Sequence, residues 1–415
     1  MQQDKSSAQS KTDPLDLVIA GGGMAGSMLA YVLLSQNPEL KLAIVEQSSD
    51  SEPSKASFDS RSIALAHGSV ELLQQWGLWQ DLHQSGCAIK HIHISDRGHF
   101  GKTYLNATDH QLTALGQVIE VEAIGEVLWQ KLKAFTAQGR LSWFYSDAIA
   151  ALNPTSELQH ISLQSGALLQ SKLLVIAEGG LSPSRTLAGF ELKSDDYQQH
   201  ALIANIGLSD SHQHKAFERF TPTGPLALLP LTRQRYSLVW TLTPEQAAYH
   251  LNQPDQEFLA SLQQAAGHRA GVFKTVGQRV VYPLSLKRAT EAARHRTVLL
   301  GNSLHNLHPI AGQGFNLAIR DIFSLSLLLQ KHQADAGSYA LTKAYQQARL
   351  PDMQQVILYT DSLVRLFSNS SRLMALGRNT GLFALNLCPD LKQAVANQAM
   401  GLNSIRQLKA LLTSA

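Results

Sequence analysis

At 415 residues, 44% of them hydrophobic, the chain has the length and composition of two or three packed globular units. Charged residues make up only 16%, against about 25% in an average domain, which excludes long disordered tracts and permits a large apolar cavity. A net charge of +3 is too weak for a nucleic-acid-binding protein, and two distant cysteines, Cys87 and Cys388, give neither a disulfide framework nor a Cys/His metal cluster, so no metal is expected.

The polar first 13 residues lack the apolar core of a signal peptide. No apolar run reaches the ~18–20 residues of a membrane span. The expectation is a soluble, cytoplasmic protein whose membrane contact, if it has any, is peripheral.

Residues 15–20 (LDLVIA) read as a buried parallel strand. Gly21-Gly22-Gly23-Met24-Ala25-Gly26 follows, then an apolar helix over 27–34 and a second buried strand at 41–46 (KLAIVE). This is a βαβ unit. A Ser-rich loop leads to a predicted helix over 60–76, stopped by Gly77. Residues 91–96 alternate as a strand, 121–135 have helical spacing, and short strands fill 141–178, ending in the buried run 173–177 (LLVIA). The block 189–286 is strand-rich with turn residues at 222–225. Residues 297–301 (TVLLG) form another buried strand, and beyond Gly314 the pattern is helical.

The fold class expected is therefore α/β: a discontinuous Rossmann-type dinucleotide domain (15–90, 115–188 and 287–361), an inserted mixed β-sheet substrate domain (91–114 and 189–286), and a helical C-terminal region (362–415).

Gly21-x-Gly23-x-x-Gly26 lies between a strand and a helix, and Glu46 closes the next strand 20 residues on. The first two glycines allow a tight turn and close approach of backbone to a pyrophosphate, and the third lets helix and strand pack. The helix start, including Met24 and Ala25, offers oriented N–H groups to phosphate. Glu46 can accept both ribose hydroxyls and disfavours a 2′-phosphate, which fits NAD or FAD better than NADP. A second cluster runs from Gly301-Asn302 through His305, His308 and Pro309 to Gly312-Gln313-Gly314-Phe315-Asn316, with Asp321 beyond. It puts glycine-cleared backbone at a helix N-terminus, a positive place suited to a flat ring that carries negative charge.

This second cluster resembles the second FAD fingerprint of the flavoprotein aromatic hydroxylases. Arg61 with residues 62–65 resembles that family's Arg-containing helix start, and 173–185 (LLVIAEGGLSPSR) its middle motif. Segments 95–99 (SDRGH), 115–118 (LGQV), 217–220 (FERF) and 224–227 (GPLA) are most similar to the ubiquinone-biosynthesis branch, in particular the hydroxylases of polyprenylated methoxyphenols. The resemblance covers 15–361. It implies FAD as cofactor, with NAD(P)H and O2 as co-substrates, and ring hydroxylation of a lipophilic phenol through a flavin C4a-hydroperoxide. It implies cofactor binding by Gly21, Gly23, Met24, Ala25, Gly26, Glu46, Arg61, Gln117, Glu178, Asn302, Gly314, Phe315 and Asn316. The loop of Pro309, Gly312, Gln313 and Gly314 would activate the flavin. No second dinucleotide motif serves the nicotinamide, and no general base is assigned; His99, His305 and His308 are candidates by location.

Two positions depart from the family pattern, Asn302 and Glu178, where Asp is usual in both. They leave open a flavin-binding scaffold without turnover, beside a reductase or a hydroxylase acting at another ring position. The apolar stretch 225–231 (PLALLPL) reads as substrate wall or sheet core. From 362 onward six Lys and Arg residues face Asp390 alone, among apolar positions such as Leu363, Leu366, Phe367, Leu382, Phe383 and Leu385. This reads as a basic amphipathic surface for an anionic membrane, or as a tail packed on the FAD domain or on another subunit. Partners expected are the lipophilic aromatic substrate, and a second copy of the chain or other proteins of the ubiquinone pathway.

Overall fold

The computed structural model describes residues 13–49, 61–97, 101–307, 312–367 and 389–414. Its first layer is an eight-stranded sheet with a parallel core. In spatial order this core runs Thr297–Leu299, Leu168–Ile176, Leu15–Ala20, Leu42–Glu46 and Leu141–Tyr145. Strands covered on both faces are apolar along their whole length, and Leu17 to Ala20 and Leu42 to Ile44 are fully buried. The helix Met24–Gln36 covers one face. It is buried all round from Gly26 to Leu34 because the helices Val121–Ala137 and Gln313–Lys331 flank it.

A second, nine-stranded sheet is mostly antiparallel. Its order is His305–Asn306, Val280–Ala289, Leu192–Leu208, Arg235–Leu242, Gly224–Leu231, Lys215–Thr221, His91–Asp96 and Lys102–Asn106, with Phe273–Val276 paired to the end of Leu192–Leu208. The pairing of Lys215–Thr221 with His91–Asp96 is parallel. Leu192–Leu208 is unusually long, at 17 residues, and bends at a bulge between Asp196 and Gln199, where Gln198 takes a φ of 53°. A third, small antiparallel sheet consists of Ser62–Ala66, Gly116–Glu120 and Gly86–Ile89. The architecture is the expected α/β class.

One local expectation fails. The predicted helix over 60–76 is instead a strand, Ser62–Ala66, followed by a helix, His67–Gln75. A short apolar run such as SIALA suits either state, and pairing with Gly116–Glu120 decides for the strand. The stop at Gly77 is as expected: its φ is +72° and Leu78 N–H reaches back to Leu73 O at 2.9 Å. The strand-rich block also contains two helices, Pro244–Asn252 and Asp255–Ala266. The first announces itself in Thr243-Pro244-Glu245-Gln246. Thr243 caps Gln246 N–H, and proline occupies the first helical position.

From Gln313 onward come helices Gln313–Lys331, Tyr339–Phe367, Pro389–Ala399 and Leu402–Ser414. Much of the basic amphipathic stretch, including Arg365, Arg372, Arg378 and the apolar positions from Leu363 to Leu385, lies outside the residues whose side chains are described. Lys392, which belongs to it, bonds Asp109 at 3.2 Å. Among the described residues no helix is long and apolar enough to cross a membrane.

Candidate active site

The first glycine turn is built by exclusion. Gly21 takes a φ of +101°, and a Cβ there would lie 2.7 Å from Ala177 O. A Cβ on Gly26 would overlap Gly21 O, which is why helix Met24–Gln36 can start so close to its own strand. Gly23 differs: a Cβ there meets nothing within 4 Å, because it points into open space in front of the helix start. Glu46 is anchored by Gly22 N–H at 2.6 Å and Ser48 N–H at 2.9 Å. Those bonds aim its carboxylate across the turn and leave lone pairs for further donors.

The second turn is held by long-range bonds. Gly312 caps helix Gln313–Lys331 in the left-handed conformation, φ +60°. Asn316, on the first turn of that helix, is buried and fully engaged. Its Oδ1 accepts from Ala66 N–H at 2.8 Å, and its Nδ2 donates to Ala64 O at 2.8 Å and Gly312 O at 2.7 Å. Asn316 thus staples the turn to strand Ser62–Ala66. Behind Gly301, the buried Asp321 carboxylate accepts from Gly301 N–H at 2.9 Å, His305 Nε2 at 2.8 Å and Arg349 Nε at 2.6 Å. Arg349 and Arg320 also meet Asp352. Burial raises the Asp321 carboxyl, but Arg349 and His305 outweigh it and hold the group below the usual carboxylate range.

Both turns open on one cleft of about 600 Å³, within the range of cofactor sites (roughly 300–1,000 Å³). Gly21, Gly23, Met24, Ala25, Glu46, Arg61, Glu178, Asn302, Gly312, Gly314 and Phe315 all line it. Arg61 lies with its guanidinium carbon 5.6 Å from the Tyr282 ring centre. Glu178 contributes to the lining, but both its carboxylate oxygens are taken up at the start of the short helix Pro183–Leu187. They accept from Ser182 Oγ at 2.8 Å, Ser184 N–H at 3.0 Å and Ser184 Oγ.

Three other expected site residues, Gln117, Gln313 and His305, are engaged away from the cleft. Gln117 faces Leu65 and Ala88 across the small sheet and is not in the lining. Gln313 Nε2 points to Ala399 O at 3.3 Å. His305 is completely buried on Asp321, so it anchors the loop instead of facing the cleft. Pro309, with His308 and His99, lies outside the described residues.

Sequence reading missed a set of interlocking contacts. Ser303 Oγ accepts from Gly179 N–H at 3.1 Å, and buried Arg185 donates to Ser303 O and Gly180 O at 3.1 Å each. These tie the middle motif to the second fingerprint. Gly179, at φ +83°, leaves open space towards the cleft as Gly23 does; its place in a Gly-Gly pair was the available signal. The opposite wall comes from the nine-stranded sheet: Ile203, Leu229, Ser237 and Val239. Alternation divides the stretch 225–231 between the two readings. Leu226 and Leu228 are core, and Leu229 faces the cleft.

Among the described residues Cys87, His212 and His214 come together, which the sequence spacing had not suggested. The ring nitrogens nearest the sulfur are already committed: His212 Nε2 to Leu231 O at 2.8 Å and His214 Nδ1 to Ala88 O at 3.1 Å. As donors to carbonyls they have no lone pair left for a cation.

A cleft with glycine-cleared helix starts at two places and the acidic Glu46 in its lining fits a flavin dinucleotide. The sequence profile of the FAD binding domain family matches residues 14–360. Ubiquinone hydroxylase UbiL of Rhodospirillum rubrum is 31% identical over 390 residues, which cover 93% of this chain and 89% of that one. The chain belongs to the FAD-dependent aromatic hydroxylases, in their ubiquinone branch. The hydroxylase is also 27% identical to 3-demethoxyubiquinol 3-hydroxylase of Escherichia coli, over 94% of its own length and 99% of the relative's. It shares its fold with PqsL, a probable FAD-dependent monooxygenase of Pseudomonas aeruginosa, at a TM-score of 0.75 and 22% identity, covering 90% of this chain and all of that one. FAD is its cofactor, and the class draws on NAD(P)H and O2.

Proposed function

We propose that this hydroxylase acts on the ring of a polyprenylated methoxyphenol in ubiquinone biosynthesis, as a 2-polyprenyl-6-methoxyphenol hydroxylase. The observation that carries the reading is the meeting of two glycine turns, almost 300 residues apart, on one cleft whose far wall is an apolar sheet face. Gly21, Gly23, Met24, Ala25 and Gly26 seat the pyrophosphate on the N–H groups of a helix start. Glu46 holds the adenosine ribose, while Arg61 and Asn302 lie along the rest of the cofactor. Gly312, Gly314 and Phe315 flank the ring system and put the positive end of helix Gln313–Lys331 against it. Asn316 and Gln313 act at one remove, by fixing that turn. FAD, when bound, supplies the relay of electrons from NAD(P)H to O2 and the delivery of oxygen to the ring. Ile203, Leu229 and Val239 exclude water from that delivery and offer a surface to an apolar ring and chain. The substrate unit is assigned to 91–114 and 189–286. A polyprenyl chain resides in a bilayer, so the hydroxylase meets it at the membrane surface.

Mass spectrometry of quinone intermediates in a strain lacking this protein tests the reading. Accumulation of the prenylated methoxyphenol is expected; its absence refutes the substrate assignment. A second reading, hydroxylation at another ring position, draws on the printed name of the Escherichia coli relative. Accumulation of a demethoxyubiquinol would establish that one instead.

A further inference from the structure

The proposed chemistry leaves the proton of the phenolic hydroxyl without an acceptor. One row across the nine-stranded sheet provides it. Ile203 stands opposite Val239, Val239 opposite Ala227, Ala227 opposite Glu218, and Glu218 beside Ile94. Residues facing each other across a ladder share a face of the sheet. Ile203 and Val239 line the cofactor cleft, so Glu218 belongs to the cleft-facing side. Ala227, between them, offers only a methyl group. With strands about 4.8 Å apart, the Glu218 backbone stands about 10 Å from that of Val239.

Glu218 Oε1 is sealed from solvent and has no hydrogen-bond partner among the described residues. A buried acceptor left unpaired in a native fold asks for a donor that arrives from elsewhere. Burial pushes the carboxyl up to about 7. The groups that share its surroundings are Asp96, on the same face of the neighbouring strand by register, and Tyr359 from helix Tyr339–Phe367; Tyr282, with Arg61 over its ring, lies on the same face four strands away. Burial and then the charge of Glu218 raise the Tyr359 hydroxyl, so that residue is a neutral neighbour.

We propose that Glu218 is the catalytic base of this hydroxylase and takes the proton of the substrate's phenolic hydroxyl. The inference rests on the phenol reading given above. In this step the phenol O–H bond breaks, the proton moves to the Glu218 carboxylate, and the electron pair stays on the phenolate oxygen, which enriches the ring carbons that are then hydroxylated. The step consumes no oxidant; the hydroxylation uses the enzyme's own NAD(P)H and O2.

The test compares FAD-loaded wild type with Glu218→Gln on a short-chain prenylated 6-methoxyphenol, with hydroxylated product measured against pH. Glu218→Gln is expected to keep FAD with an unchanged flavin spectrum and to form product at least about 100-fold more slowly at pH 7. The rate should recover as pH approaches the phenol's own ionisation near 10, and a fluorinated, more acidic phenol should restore turnover at neutral pH. The wild type should show an acidic limb near pH 7 that the variant lacks. A variant with wild-type rate and the same limb overturns the proposal. A wild type that oxidises NAD(P)H but hydroxylates no phenol overturns the substrate reading itself, and the two failures are thus separable. Should Glu218→Gln lose its flavin, Glu218→Asp replaces it: a slower rate with the limb retained supports the base, and an unchanged rate refutes it.

Discussion

The glycines of the first turn look alike in sequence and differ in what surrounds them. A side chain on Gly26 collides with Gly21 O, whereas one on Gly23 projects into the cleft. Gly23→Val is therefore expected to fold and to purify without yellow colour, its branched side chain occupying the phosphate's place. Gly26→Val should fail to accumulate as folded protein. Flavin absorbance and circular dichroism of the two variants check this, and a yellow Gly23→Val would remove the phosphate site. Charge at a single residue also leaves a mark on stability. Glu218 has a folded pKa of about 7 against an ordinary value of 4.5. What it contributes to stability is fully present below about 4.5 and is lost as pH rises through 7. Glu218→Gln should thus melt higher than wild type at pH 8 and alike at pH 4. The gain is roughly 3 kcal/mol at most. Asp321 has the opposite sign. Its depressed pKa contributes stability above the ordinary carboxyl range that disappears as pH falls below it. Asp321→Asn leaves Arg349 buried beside a neutral group and should cost about 3–5 kcal/mol in urea unfolding.

At the level of elements, Asn316 joins a helix start to a strand 250 residues away. Asn316→Ala would strand Ala66 N–H and two carbonyls. A loss of about 2–3 kcal/mol is expected, with weaker FAD retention than any surface substitution on the same helix; equilibrium dialysis of flavin measures it. What was legible in the sequence divides along the same line. Leu15–Ala20 and Leu42–Glu46 could be read because strands buried on both faces must be apolar throughout, and Gly21, Gly23 and Gly26 because a phosphate turn tolerates little else. Strand Ser62–Ala66 was misread as helix because its partner, Gly116–Glu120, lies some 50 residues on and leaves no trace in a five-residue apolar run. Glu178, Gln313 and Asn316 could be located by motif, but not oriented. Orientation comes from Ser184, Ala399 and Ala64, which no local pattern names. Glu218 stayed hidden for the strongest form of this reason: its place relative to the cleft depends on the register of three consecutive strand pairings.

For the whole molecule, a cleft between two sheets makes the cofactor part of the fold. Binding that is confined to the native state adds RT ln(1 + [FAD]/Kd), or about 2.7 kcal/mol at a hundredfold excess over Kd. Removal of flavin should accordingly lower the melting temperature by several degrees, and readdition should restore it; a melting curve indifferent to FAD would contradict the cleft.

The helices Pro389–Ala399 and Leu402–Ser414 touch no part of that cleft, yet they brace it from behind. Ala399 O receives Gln313, Met400 O receives Gly68 N–H, and Ile405 lies close against Gly68. The flavin turn therefore has a backstop made of the chain's last described helices. Shortening the chain at this end would therefore loosen the flavin turn without removing a single residue from the cleft's lining.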